Sequence, residues 1–202
     1  MKYVALTFDD GPSNITSKVL DILEEKGIVG SFFLIGDHIT VDTKEVMERQ
    51  VKMGCELCNH SLTHNDMTCF DGEIIGLEIE ETTRRIEAYV NVTPKFFRPP
   101  FISVNDTMYE NISLPFICGV DSKDWDYRVN SEERINNIME GVKDGAIILM
   151  HDFNDNEYTL QALPVVIDKL KTEGYEFVTV SELFKIKNVN PCKPNHIWTY
   201  VE

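Results

Sequence analysis

Short, uninterrupted apolar runs alternate along the chain with longer segments whose apolar positions recur at helical spacing. Tyr3–Phe8, Ser31–Ile35, Cys55–Asn59, Phe96–Arg98, Phe116–Val120, Ala146–Met150 and Tyr175–Val180 read as strands, being short and β-branched or aromatic. Between and after them, Thr16–Lys26, Val41–Met53, Glu73–Tyr89, Asn105–Asn111, Ser131–Val142, Leu160–Thr172 and Ser181–Phe184 read as helices. Gly27, Gly54 and Gly174 stand where C-terminal caps belong, and Ser131 with Glu132 and Glu133 suits a helix start. Strands that are apolar throughout are buried on both faces, which points to a parallel sheet crossed by helices. Polar residues follow at least five of the runs: Asp9-Asp10, His60, Arg98, Asp121 to Trp125, and His151-Asp152. Groups from that many strand ends converge most simply at one mouth of a closed sheet. The expectation is an α/β fold, a distorted (β/α) barrel of about seven strand-helix units. It forms one domain over 1–202, with a core over about 3–184 and an aperiodic tail over 185–202.

Charge narrows the partners. With 34 acidic against 19 basic residues and a formal net charge of -15, the chain is a poor match for nucleic acid or an anionic membrane surface. No apolar run approaches the ~20 residues that span a bilayer. No leader pattern precedes the first strand, so cytoplasmic placement is expected of the chain as written, and secretion or cell-wall association if it is part of an exported protein. Five cysteines at irregular spacing favour free thiols over a disulfide framework.

Asp9-Asp10, at the end of an apolar run and before Gly11-Pro12, is the most demanding stretch. Adjacent carboxylates raise each other's pKa unless a metal, an arginine or a shared proton intervenes. Strand alternation would send the two side chains different ways. His60 and His64, four residues apart, lie on one face if the chain turns helical there, and with an Asp they make a His-His-carboxylate set with open positions for water and substrate. Such a set suits zinc, and also ferrous iron. Cys55 and Cys58, close before His60, offer a competing thiolate site or a redox pair, although residues three apart on a strand point to opposite faces. Arg98, between Phe97 and Pro99, calls for an acidic partner, for which Asp9 is the candidate. His151 stands where a general acid or base would, Asp124 can orient an imidazole, and Trp125 can stack on a sugar.

In this order, Thr7-Phe8-Asp9-Asp10-Gly11-Pro12, His60-Ser61-x-x-His64, Arg98-Pro99-Pro100-Phe101, Asp124-Trp125 and Leu149-Met150-His151-Asp152 resemble the five motifs of the polysaccharide deacetylase family, carbohydrate esterase family 4. The resemblance implies a distorted barrel and one divalent metal ion, usually Zn2+ with Co2+ or Fe2+ as alternatives, held by Asp10, His60 and His64. It implies Asp9 as general base held by Arg98, and His151 as general acid tuned by Asp124. Phe101 would offer its backbone N–H to the oxyanion, and Trp125 and Leu149 would line an acetyl pocket. The implied substrate is an acetylated glycan: N-acetylglucosamine units of peptidoglycan or a chitin-type oligosaccharide, or alternatively O-acetylated xylan. A non-catalytic glycan-binding barrel is the reading outside catalysis. One departure stands out: Phe101-Ile102 occupies the place of the family's usual Tyr-Gly, and a β-branched residue there alters the loop.

Overall fold

The computed structural model describes residues 1–202. Its organising element is β1 (Lys2–Gly11), which is buried along most of its length. β2 (Ser31–Leu34) and β3 (Glu56–Asn59) extend the sheet on one side of β1, and β6 (Ala146–His151) and β5 (Val120–Asp121) extend it on the other, in the order β3-β2-β1-β6-β5. All these pairings are parallel. β7 (Tyr175–Val178) pairs with Lys2–Ala5 of β1 while β2 pairs with Thr7–Gly11, so the two share one edge of the long strand. The crossovers are α1 (Thr16–Lys26), α2 (Lys44–Lys52), α3 (Gly72–Val90), α4 (Asp106–Asn111), α5 (Ser131–Gly141) and α6 (Glu157–Thr172), and α7 (Val180–Lys187) follows β7.

The alternation of β1 sorts its residues between two faces. Val4, Leu6 and Phe8 pack into the larger core, with Leu20 of α1, Ile138 of α5 and Ile167 of α6. Ala5 faces the second core, with Phe33, Ile147 and Leu183. Thr7 and Asp9 continue that second face toward the carboxyl end of the strand, so one row runs from apolar to ionised and places a carboxylate at the sheet's mouth.

The α/β class and the parallel strands follow the pattern in the chain, but a continuous hydrogen-bonded ring does not form. The strand expected at Phe96–Arg98 is reduced to one residue, Phe97, bridging Asn59 and Phe116, because Pro94 and Pro99-Pro100 remove backbone donors on both sides. The run from Phe116 breaks at Cys118-Gly119 into β4 (Phe116–Ile117) and β5. The tail has structure despite lacking a period. β8 (Ile197–Trp198) pairs with β4, Trp198 donates its indole N–H to the Pro191 carbonyl at 3.0 Å, and Trp198 and Val201 are buried in the second core. Two anchoring side chains are too few to generate a periodic signal. Helix α5 is capped by Asn130 rather than Ser131: the Asn130 side chain accepts from Glu132 and Glu133, and Glu133 returns a bond to the Asn130 N–H. No helix is long and apolar enough to cross a membrane.

Candidate active site

The ladder of β1 skips from Asp9 to Gly11 where it meets β2, and Asp10 adopts φ 73°. This bulge overturns the alternation expected for the two carboxylates: it re-aims Asp10, so that both acids line the same cavity. Asp tolerates the left-handed region better than most residues. The bulge is braced from outside, with His38 Nδ1 2.8 Å from the Asp10 carbonyl and the Ile35 N–H donating to the Gly11 carbonyl at 3.0 Å.

His60 and His64 also converge by a route other than the expected helical turn. The segment is a loop in which Ser61 and His64 have φ 64° and 57°. Glu78, buried on α3, holds it: one carboxylate oxygen accepts from the Leu62 and Thr63 N–H groups at 2.8 and 2.9 Å, and the other from the Thr63 hydroxyl at 2.8 Å. His60 Nδ1 lies 2.7 Å from the Arg98 carbonyl, so that nitrogen carries the proton and Nε2 is left to face Asp10 at 3.3 Å. His64 Nε2 is likewise 3.3 Å from Asp10 Oδ1.

The three ligand atoms lie within 4.8 Å of one another, and Asp10 Oδ1 is buried with no hydrogen-bond partner. Two imidazole nitrogens and an orphaned carboxylate oxygen fit a divalent cation with open positions. Burial works against ionised Asp10, but His60 outweighs it and holds the carboxyl well below its usual range. The thiols form no such group. Cys55 packs in the larger core and Cys58 in the second, and burial pushes both thiols up.

Two ionised pairs flank the triad. Arg98, fully buried, donates to Asp9 Oδ1 at 2.6 Å, to the Thr7 hydroxyl at 2.8 Å and to the Cys118 carbonyl, with its guanidinium 4.1 Å over the Phe33 ring. On the other side Asp124 Oδ1 is 2.6 Å from His151 Nδ1, and Asp124 Oδ2 accepts from the His151 backbone N–H at 2.8 Å. Burial disfavours charged His151, yet Asp124 first and then Asp9 and Asp10 raise it to about 9. Asp124 is held low by the same pairing, against its burial.

The cavity over these groups is about 710 Å3, and Phe101, Trp125 and Leu149 form part of its wall. Phe101 and Trp125 are 66% and 57% exposed, which makes the mouth wide and aromatic. Phe101 stands edge-on to His64 at 4.9 Å. Phe101 and Ile102 both hold positive φ, 57° and 55°. Every residue expected at the site is therefore near it: Asp9, Asp10, His60, His64, Arg98, Phe101, Asp124, Trp125, Leu149 and His151. Glu78, which holds the His60–His64 loop, and Thr159, which donates to Asp124 Oδ2 at 2.6 Å and accepts from Arg134 at 2.9 Å, carry no motif, and only an ionisable or hydroxyl group on a helix's apolar face marks them and Arg134.

The arrangement can activate water beside a cation and deliver a proton from the opposite side. The sequence profile of the polysaccharide deacetylase family matches residues 1–114. The Xyl-CE4 domain of a multidomain xylanase from the hindgut metagenome of Trinervitermes trinervoides is 52% identical, with a TM-score of 0.98 over 99% of this chain and 98% of that one. A family 4 acetyl xylan esterase from Clostridium thermocellum, solved with a cobalt ion, is 37% identical, with a TM-score of 0.94 over 99% of both chains. The peptidoglycan-N-acetylglucosamine deacetylase PgdA of Listeria monocytogenes is 36% identical over 185 residues, 91% of this chain and 39% of that protein. The chain spans between about a third and two fifths of the length of the curated relatives it matches first. The matched profile, together with a relative that shares the whole of the fold at this identity, makes the chain a member of the polysaccharide deacetylase family.

Proposed function

We propose that this chain is a metal-dependent deacetylase of acetylated polysaccharide, with O-acetylated xylan as its substrate class and zinc as its ion. The observation that carries this reading is the pair of ionised couples, Arg98–Asp9 and Asp124–His151, on either side of the Asp10-His60-His64 triad. A divalent ion held by Asp10, His60 and His64 would supply Lewis acidity for the acyl carbonyl and lower the pKa of a water. Asp9 would accept the attacking water's proton at Oδ2, the oxygen Arg98 does not engage. The Phe101 backbone N–H receives the developing oxyanion. Trp125 and Leu149 receive the acetyl methyl. His151, with Nδ1 tied to Asp124 and a pKa of about 9, is protonated at neutral pH and donates from Nε2 to the leaving oxygen or nitrogen.

Xylan is supported by the nature of the two similar solved proteins and by the open, aromatic mouth, past which an extended chain can run. A second reading, removal of N-acetyl groups from glucosamine-containing glycans, is supported by the similarity to PgdA, and the proton-donating couple serves an amine leaving group as well as an alkoxide. Acetate release from acetylxylan, N-acetylchitooligosaccharides and peptidoglycan fragments tests both, using protein stripped of metal and reloaded with zinc. Zinc-dependent release from acetylxylan is the expected result. If zinc-loaded protein releases no acetate from any of the three, the chain is a glycan-binding barrel instead.

A further inference from the structure

Behind the Asp124–His151 couple lies a buried arginine that no carboxylate bonds. Arg134, on α5, is 2% exposed. Its Nε donates to the Val129 carbonyl at 2.9 Å, and its Nη1 to Asn156 Oδ1 at 2.5 Å and Thr159 Oγ1 at 2.9 Å. Its Nη2 lies 3.5 Å from the Asp126 carbonyl. Every one of these acceptors is neutral. A cation buried in this way is costly unless its donors are all used, and burial accordingly lowers its pKa.

The donors dictate the direction of the next proton. A guanidinium can only donate, and a threonine hydroxyl owns one proton. With a lone pair of Thr159 Oγ1 occupied by Arg134, the hydroxyl proton points at Asp124 Oδ2, 2.6 Å away. That oxygen also accepts the His151 backbone N–H, and the other oxygen takes the His151 Nδ1 proton. Asn156, held at its oxygen by Arg134, turns its amide NH2 toward the carbonyls of Asp124 and His151 at 3.4 and 3.2 Å. The plane of the Asp124 carboxylate is thereby fixed from both sides, and so is the ring of His151.

We propose that Arg134 and Thr159 are positioning residues for the proton donor: Arg134 orients the Thr159 hydroxyl, the hydroxyl fixes Asp124, and Asp124 holds His151 with Nε2 toward the cavity. The inference rests on the reading of His151 as the general acid. Its consequence depends on the leaving group. A sugar alkoxide or amine must gain a proton as the C–O or C–N bond breaks, whereas 4-nitrophenolate departs without one, so a loosened His151 penalises only the first kind.

The test compares Thr159→Val, Thr159→Ser and Arg134→Met in the zinc-loaded 202-residue chain. Thr159→Val is expected to lower kcat on acetylxylan about tenfold or more while changing 4-nitrophenyl acetate hydrolysis by less than roughly threefold, with zinc content unchanged. Thr159→Ser restores the wild-type ratio, and Arg134→Met repeats the split. Arg134→Met strands two buried oxygen atoms and can fail to fold, so the Thr159 pair decides. Equal losses on both substrates, or no loss on either, overturn the proposal.

A second measurement needs no turnover. The His151 Nδ1 proton resonance, carried far downfield by Asp124, is expected to broaden through exchange with water in Thr159→Val and to sharpen again in Thr159→Ser. An unchanged resonance in Thr159→Val overturns the proposal as well. Failure of the functional reading shows separately, as wild-type protein that releases no acetate from any polysaccharide, and the resonance still decides the role of Thr159.

Discussion

Asp9 and His151 are neighbours across the β1–β6 ladder, yet the protein holds them by opposite means. Asp9 meets its cation directly, with Arg98 Nη1 2.6 Å from the carboxylate and both groups buried. His151 meets an anion directly, and the cation behind that anion, Arg134, reaches it only through the Thr159 hydroxyl. The difference suits the two jobs proposed for these groups, base for Asp9 and acid for His151. A base must stay ionised, so a guanidinium in contact favours it; an acid must keep its proton, so the contact is a carboxylate and positive charge is kept one residue further away. Two groups on adjacent strands thus have partners of opposite charge, Arg98 for Asp9 and Asp124 for His151, without any large separation.

The sharpest way to break this comparison is to neutralise each carboxylate of β1 in turn. Asp9→Asn is expected to lower kcat on acetylated glycan by roughly 1,000-fold while zinc remains bound at one equivalent, because the proposed function makes Asp9 the base. Asp10→Asn is expected to lose the zinc itself, read by metal analysis after dialysis, because its orphaned Oδ1 belongs to the triad. Retention of zinc by Asp10→Asn with loss of zinc by Asp9→Asn would reverse the division of labour.

Arg98→Met comes next. It leaves Asp9 buried without its cation and leaves the Cys118 carbonyl and Thr7 hydroxyl without their donor, at an expected cost of about 3–5 kcal/mol in urea unfolding. A loss under about 1 kcal/mol would mean that the pair is dispensable for folding. On the acid side, Asp124→Asn removes the largest of the charges that raise His151 to about 9. Deacetylation by the wild type should fall as pH rises through that value, since the donor loses its proton there, and in Asp124→Asn the alkaline limb should move toward lower pH. The stability linkage has the same sign: a histidine raised above its usual 6.5 stabilises the fold fully below that value and stops doing so as pH passes about 9.

Asp152 is the control for both sides, a buried carboxyl without any cation. Thr16 donates to one oxygen, the other has no partner, and burial raises its pKa to about 7. A carboxyl whose pKa is raised on folding opposes folding increasingly as pH rises from its ordinary 3.8 to about 7. Asp152→Asn removes that penalty, so its Tm should match or trail the wild type near pH 4 and exceed it at pH 8. The ceiling is roughly 4 kcal/mol at 1.36 kcal/mol per pKa unit.

How much of this was legible depended on which interactions are local in sequence. The apolar runs of β1, β2 and β6 and the polar residues at their ends are contiguous, so the sheet and the positions of Asp9, His60 and His151 could be read from pattern. The routes by which the ligands meet could not. The bulge at Asp10 depends on Ile35 and His38, and the His60–His64 loop depends on Glu78, each on another element. Arg134 and Thr159 are only faintly marked for a related reason: each is a polar group on the apolar face of an ordinary amphipathic helix and gains meaning only when α5 and α6 pack together. The tail escaped because Trp198 and Val201 anchor it singly, with no repeat.

The smallest expected effect concerns the departure from the family motif at Phe101-Ile102. Ile102 carries a β-branched side chain at φ 55°, a region that costs such a residue about 1–2 kcal/mol. Its N–H still donates to the Pro99 carbonyl at 3.0 Å, so the turn is held by backbone hydrogen bonding and glycine can adopt it without change. Ile102→Gly relieves the strain but loosens the unfolded chain by roughly 0.5–1 kcal/mol, which leaves a net gain of about 0.5 kcal/mol, visible as a Tm rise of one or two degrees. Ile102 also lines the cavity beside Phe101, so the same change widens the mouth and should lower KM for a branched xylan more than for a linear one. A fall in Tm would show that Ile102 stabilises the loop by packing, and that the aromatic wall over His64 depends on it.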